Sequence, residues 1–268
     1  MTDEDPSEAP PKILESVQSM VRGLSVIKAF DGTRPRMTLS EVARQTNLTR
    51  ATARRFLHTL VALGYTDTDG REFWLRPRIL ELGYAYLSSL SLPDVAAAHL
   101  KSLADQVSES ASVSVLDGTD IVYVARVPTR RIMTVSISVG TRFPAFATSM
   151  GRVLLAALPG DGAAERLADS DLKSLTPHTL TSPAVLLAEL ERVRQQGWAL
   201  VEEELEIGLR SIAVPIRDSH ARVVAAMNIS VSAGHESAEQ SRARLLPPLQ
   251  AGAAALEHDL DVKQHRGS

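Results

Sequence analysis

Residues 38–63, TLSEVARQTNLTRATARRFLHTLVAL, constrain the fold more than any other stretch. They read as two short helices separated by a tight break at Asn47-Leu48. Thr38 and Glu41 have the S/T-x-x-E spacing of a capping box, in which each side chain satisfies the other residue's backbone N–H, and this predicts a helix over 39–46. Thr49 can cap the next helix by accepting a first-turn N–H. At about 100° per residue, Ala53, Phe56, Leu57, Leu60 and Leu63 share one face. Ala51, Arg54, Arg55 and His58 share the opposite face, with Arg50 at its edge. No acid lies between Arg50 and Leu63, whereas the outer face of an ordinary surface helix mixes both signs. An arginine fork matches guanine O6/N7 and also clamps phosphate, and a small Ala51 permits close approach to a groove floor. The pattern predicts a helix-turn-helix whose second helix enters a DNA major groove.

The flanking segments extend that expectation. A helix over 17–30 is predicted from Val17, Met20, Val21, Leu24 and Ile27, and Asp31-Gly32 and Pro35 end it. After the recognition helix, 65–67 and 72–75 read as strands joined around Asp69-Gly70, a hairpin signal that makes the unit a winged helix. Arg71 at the hairpin tip, and Arg76 and Arg78 beyond it, would then lie over the phosphate backbone. The expected DNA contacts are Thr49, Arg50, Ala51, Thr52, Arg54, Arg55, His58 and Arg71, with His58 either on phosphate or merely exposed. Charge agrees with this: residues 17–80 hold eleven Lys and Arg against five Asp and Glu, although the whole chain carries −3. A basic module joined to an acidic remainder suits nucleic-acid binding by one part only. Residues 1–16 are acidic, carry three prolines, and are expected to be a disordered tail.

The remaining chain reads as α+β. A linker helix is expected over 78–93, with a domain boundary near Ser91-Leu92-Pro93, then a second domain over 94–260 and a tail over 261–268. Within it, ASVSVLD and IVYVARV form a hairpin around Asp117-Gly118, and RIMTVSISVG continues as a strand. Helices are expected over 95–108, 148–158, 163–169 and 182–196, and strands over 198–203, 211–217 and 223–232. A last helix over 237–260 is expected to kink or break at Pro247-Pro248. Helices segregated around mostly antiparallel strands define the α+β class. Zero cysteines exclude disulfides, thiol catalysis and cysteine-ligated zinc, and no apolar run is long enough to span a bilayer. A cytoplasmic protein without membrane attachment is the expectation.

The winged-helix stretch, TSMGRVLLA (148–156) and EEELEIGLRSIAVPIRD (202–218), in this order and spacing, resemble the IclR family of bacterial transcription regulators from about residue 17 to 260. YVARVPTRRIMTVSISVGTRFPAFATSMGRVLLA is similar to the branch of that family holding PcaR, PcaU and PobR. The resemblance implies a GAF-like effector domain and a homodimer or tetramer on double-stranded operator DNA. It also implies a small-molecule effector, an aromatic acid or ring-cleavage product. The family members that bind small 2-oxo acids use residues matching Ser149, Met150, Leu209, Ser211, Asn228 and Ser230. Where those members have aspartate this chain has Val201, and where they have cysteine it has Ser211, a more apolar pocket compatible with a ring.

The residues themselves point to the same place. The backbone N–H groups of Ser149, Met150 and Gly151 would open a helix and form an anion site. Asn228 and Ser230, two apart on a strand, face one side and need a polar partner, either a ligand or the backbone of a nearby loop. Arg142 or Arg210 could pair with an effector carboxylate or, instead, with the Glu202–Glu206 run, whose first three residues, Glu202–Glu204, read as a solvated strand end. Two other function classes compete. An enzyme lacks support, since no phosphate-binding loop, dinucleotide fingerprint, zincin motif or nucleophile elbow is present and the seven histidines show no ligand-like pairing outside the exposed C-terminal end; no catalytic, cofactor or metal residues are expected. A signalling module that dimerises without DNA is the other.

Overall fold

The computed structural model describes residues 17–83, 92–128 and 137–266. These fall into two compact units, residues 1–86 and 87–268, each taken by itself below. In the first, α1 (Gln18–Lys28), α2 (Leu39–Gln45) and α3 (Arg50–Ala62) pack around Val26, Val42, Ala53 and Leu57, all fully buried. The capping box forms: Glu41 Oε2 accepts from Thr38 N at 2.7 Å, and Thr38 Oγ1 from Glu41 N. The break between α2 and α3 is made by Asn47, which takes the left-handed conformation (φ 51°) that asparagine tolerates better than most residues. The hairpin is β2 (Thr66–Thr68) and β3 (Glu72–Leu75). A further two-residue strand, β1 (Met37–Thr38), joins β3 to give the order β1-β3-β2. Periodicity cannot reveal a strand of two residues; its partner defines it.

The second unit is built on one antiparallel sheet of order β6-β5-β4-β9-β8-β7. Its strands are β4 (Ser110–Asp117), β5 (Asp120–Val127), β6 (Arg142–Pro144), β7 (Ala199–Glu202), β8 (Leu209–Arg217) and β9 (Val223–Ser232). One face is covered by α4 (Leu92–Val107) and α8 (Ala238–Arg266), which bury Leu100, Leu103, Leu249 and Leu256 against Val113, Met227 and Ile229. The other face receives α5 (Ser149–Ala156), α6 (Gly162–Ala168) and α7 (Pro183–Gln196) around Phe146, Leu155, Leu186 and Tyr123. The fold is α+β, a winged helix-turn-helix followed by a sheet with helices on both faces.

Four expectations need correction. Helix α4 starts at Leu92 rather than at Val95, with Pro93 in its first turn, where a missing N–H costs nothing; Ser91, part of the expected break, lies outside the described residues. Helix α8 runs without interruption through Pro247 and Pro248 to Arg266, beyond the expected end at 260. Leu245, Leu249, Leu256 and Leu260 are all buried beneath it. At about 1.5–3 kcal/mol each, the four offset about 3 kcal/mol for each of the two interior prolines. Residues 137–140 are a turn, not strand, and the strand begins at Arg142; residues 129–136 of that expected strand lie outside the described residues. The linker helix is seen only as a 3₁₀ turn (Pro77–Leu80) continuing helically to residue 83, and the rest also lies outside them.

Candidate functional site

In the first unit, α3 turns Ala53, Leu57 and Leu60 inward and leaves Arg50, Ala51, Arg54, Arg55 and His58 exposed, with Thr52 half-buried. Thr49 caps α3, accepting from Thr52 N at 3.2 Å, and the two threonine hydroxyls are 2.8 Å apart. His58 lies edge-on against Phe73 of β3, which fixes the wing against α3. At the hairpin tip, Asp69 Oδ1 accepts from Glu72 N (2.8 Å) and Arg71 N (2.9 Å), and these bonds hold its carboxyl below the ordinary range. Arg71 is thereby presented at the tip, exposed.

Acid pairing separates the arginines of this unit into two groups. Arg36 stacks on Trp74 at 4.0 Å and approaches Asp69 at 3.7 Å. Arg76 lies 3.9 Å from Asp67, and Arg78 binds Glu81 at 3.2 Å and the Leu63 carbonyl at 3.1 Å. Arg76 and Arg78, expected over phosphate, are therefore held by the unit's own acceptors. Among the described residues Arg50, Arg54, Arg55 and Arg71 have no acid partner. Arg22, Lys28 and Arg44, on α1 and α2, have none either; the four named first stand on the outer face of α3 and at the hairpin tip.

In the second unit a recess opens between the sheet and the start of α5, with about 380 Å³ of unfilled space including its mouth. Its polar floor is a cluster of side chains from β8, β9 and α5. Ser211 Oγ lies 2.7 Å from Ser149 Oγ and accepts from Asn228 Nδ2 at 2.8 Å, and Asn228 Nδ2 also reaches Ser230 Oγ at 3.1 Å. The register explains the meeting: Ser230 pairs with Ser211 across the β8–β9 ladder, and Asn228 is one pleat away on the same face. Asn228 and Ser230 thus bond to side chains of the recess rather than to a loop backbone. Asn228 Oδ1 is buried and has no partner. The walls are apolar: Met150, Val201, Leu205, Leu209, Ile137 and the ring of Tyr123. Met150 is held by Ser114, whose hydroxyl donates to its Sδ at 3.2 Å. Burial pushes the Tyr123 phenol up to about 12, so it faces the recess as a protonated donor. Tyr123, Ile137 and Leu205 carry no signal in the sequence that would single them out.

The expected helix-terminus site is reduced by one donor. Gly151 N donates to the capping Thr148 Oγ1 at 3.1 Å, leaving the N–H groups of Ser149 and Met150. Gly151 is not in the recess: a side chain there would collide with the backbone of Ala145, so glycine lets α5 pack on the 3₁₀ turn Ala145–Ala147.

Both arginines nominated for an effector carboxylate have structural partners. Arg142 brackets the β4–β5 hairpin, donating to Asp117 and Asp120 rather than to the Glu202–Glu206 run. Arg210 binds Glu202, the Glu236 carbonyl (2.7 Å) and Ser241 Oγ (2.8 Å), joining β8 to the start of α8. The Glu202–Glu204 run is not a solvated strand end. Glu204 is buried, pairs with Arg152 at 2.6 Å and accepts from Leu180 N at 2.9 Å. That pair ties α5 to the loop that carries Leu205 and leads into Leu209 of β8.

The two units match two models of one family in the order they occur. Residues 19–70 match the IclR helix-turn-helix domain, and residues 84–258 match the C-terminal domain of the bacterial transcriptional regulator IclR. The chain belongs to the IclR family. It is 45% identical to the Pca regulon regulatory protein of Pseudomonas putida, over 90% of this chain and 84% of that protein. A transcriptional regulator of Rhodococcus sp. RHA1 shares its structure with a TM-score of 0.81 at 56% identity, covering 91% of this chain and 98% of that one. An IclR homologue from Microbacterium hydrocarbonoxydans, solved with 4-hydroxybenzoate, has a TM-score of 0.80 at 26% identity, covering 93% and 100%. This IclR-family chain is thus a transcriptional regulator with an intact helix-turn-helix, and no helix among its described residues is long and apolar enough to cross a membrane.

Proposed function

We propose that the chain regulates genes of aromatic-acid catabolism, reading a double-stranded operator as a cytoplasmic homodimer or tetramer and responding to an aromatic acid bound in the second unit. One observation carries the ligand half: a recess with apolar walls ends on a serine–asparagine cluster that has a spare acceptor. Three hydroxyls and one amide bond to one another, yet Asn228 Oδ1 stays unpartnered though the residue is 2% exposed. A buried acceptor without a donor costs about 1–3 kcal/mol, which a ligand hydroxyl would recover. A hydroxylated ring meets both demands, apolar contact at the walls and a donor at Asn228. The Microbacterium hydrocarbonoxydans homologue solved with 4-hydroxybenzoate supports the same class of compound.

Four unpaired arginines on α3 and the wing tip carry the DNA half. Binding of the operator duplex should weaken steeply with salt, since each neutralised phosphate releases counterions. For the ligand, 4-hydroxybenzoate, protocatechuate and their ring-cleavage products should raise the melting temperature of the purified chain, while Ser230→Leu, which fills the recess, should remove that rise and leave operator binding intact. A Ser230→Leu protein that still responds fully would place the effector elsewhere.

A further inference from the structure

Among the described residues of the second unit, three arginines are not exposed: Arg126, Arg152 and Arg210. Arg152 pairs with Glu204 and Arg210 with Glu202. Arg126 has no carboxylate among the described residues. Its one side-chain hydrogen bond runs from Nη1 to Ser112 Oγ at 3.1 Å, and its Nε is buried without a partner. Burial pushes the guanidinium below the usual arginine range, with only the neighbouring Tyr123 opposing, which describes a cation short of an anion. Arg126 is half-buried, and removing even part of a charge from water without a counter-charge is costly to a fold.

Its position says where the anion would come from. Arg126 on β5 pairs with Ser112 on β4, and Ser112 pairs with Asn228 on β9, so the three stand in one row on the recess face. Strands are about 4.8 Å apart, which sets Arg126 about 10 Å from Asn228 at the backbone. The bond to Ser112 directs the guanidinium along this row toward β9, so Arg126 stands beside the recess, next to its lining residues Tyr123 and Asn228, without itself lining it. Tyr123, whose ring lines the recess, precedes Arg126 on the same strand and face, because the register shift between Val113 and Ser114 makes Val124 the extra residue.

We propose that Arg126 is the charge-pairing residue for the carboxylate of the effector, with the ring of the ligand lying between it and the serine–asparagine cluster. The assignment rests on the function proposed above and adds to it a polarity: the ligand enters as an anion, its carboxylate toward β5 and its hydroxyl toward β9. A guanidinium offers a carboxylate two parallel N–H donors, including the idle Nε. The serine hydroxyls discriminate poorly between a carboxylate and a neutral amide, so the preference for the acid should reside at Arg126.

The test is binding of 4-hydroxybenzoate and 4-hydroxybenzamide to the full chain by calorimetry, in wild type, Arg126→Met and Arg126→Lys. Wild type should favour the acid. Arg126→Met should lose at least 30-fold in affinity for the acid and change less than threefold for the amide, and Arg126→Lys should fall between for the acid. Unchanged acid affinity in Arg126→Met overturns the assignment alone. So does an equal loss for acid and amide, which would mark Arg126 as packing. A wild-type chain that binds neither compound, nor any other aromatic acid, overturns the functional proposal and the assignment with it.

Discussion

At the scale of single residues, the Arg152–Glu204 pair shows what buried charge does here. The side chains are 2% and 8% exposed, and the pair is completed by Leu180 N on the carboxylate and the Phe146 carbonyl on Arg152 Nε. Breaking such a pair leaves one charge uncompensated and costs about 3–5 kcal/mol. Glu204→Gln should therefore lower the urea stability of the second unit by about 3 kcal/mol, whereas the double variant Arg152→Met with Glu204→Leu should regain most of the loss. A double variant as unstable as the sum of the single ones would mean the pair contributes by packing alone. Tyr123 permits a second test. With its phenol raised to about 12 in the fold against an ordinary value near 10, the stability owed to the neutral phenol is complete below about pH 10 and disappears as pH climbs through about 12. An alkaline absorbance titration of the native protein should include a late phase from the Tyr123 phenolate, which Tyr123→Phe should lack. Neither residue is conspicuous in the sequence. Arg152 and Glu204 are 52 positions apart, and only the docking of α5 beside the 203–209 loop makes them neighbours.

At the scale of elements, legibility followed locality. Helix α3 could be read residue by residue, since its cap, its apolar stripe and its acid-free face all repeat at helical spacing within fourteen residues. Arg54→Ala and Arg55→Ala should each weaken operator binding by about 10- to 100-fold, the range expected for a lost bidentate contact of about 1–3 kcal/mol, in a gel-shift titration. Both side chains are exposed and unpaired, so the melting temperature should not move. Asn228 and Ser230 were legible too, as polar residues two apart on one strand, whereas Ser211 came only from the family resemblance; their pairing follows from the β8–β9 register. Arg126 was not. Counting alternation from Tyr123 puts position 125 on the recess face and position 126 behind it. The bulge at Val124 reverses that parity, and a one-residue slip changes every face after it. Gly151 was misassigned for a related reason: its value is closeness to Ala145, which depends on a turn that the local pattern does not specify. Gly151→Ala should destabilise the second unit by about 1–3 kcal/mol, the usual penalty for overpacking, and lower effector affinity only through that loss.

At the scale of the whole molecule, the division of labour has a thermodynamic consequence. The basic helix-turn-helix and the sheet unit each bury their own core, the first around Val26 and Leu57, the second on the two faces of the sheet. A ligand seated in the recess binds the second core only. At a hundredfold excess over its dissociation constant it stabilises that unit by about 2.7 kcal/mol, or about 5–10 °C for a domain of this size. The calorimetric transition of the sheet unit should rise by that amount while the helix-turn-helix transition stays in place, and operator DNA should do the reverse. A single transition moved equally by both would mean the chain melts as one cooperative body. Regulation demands more than two independent sites, because the effector must change the affinity for DNA. Linkage makes that change reciprocal: the factor by which 4-hydroxybenzoate alters the operator dissociation constant must equal the factor by which operator alters that of 4-hydroxybenzoate. Coupling of about 1–3 kcal/mol, 5- to 150-fold, is the ordinary range. Calorimetric titration of the acid into free and operator-bound protein, beside operator titrations with and without the acid, measures both factors. Equal factors well above one establish a sensor joined to its output; factors of one in both directions would leave a DNA-binding unit and a ligand-binding unit that share a chain without communicating.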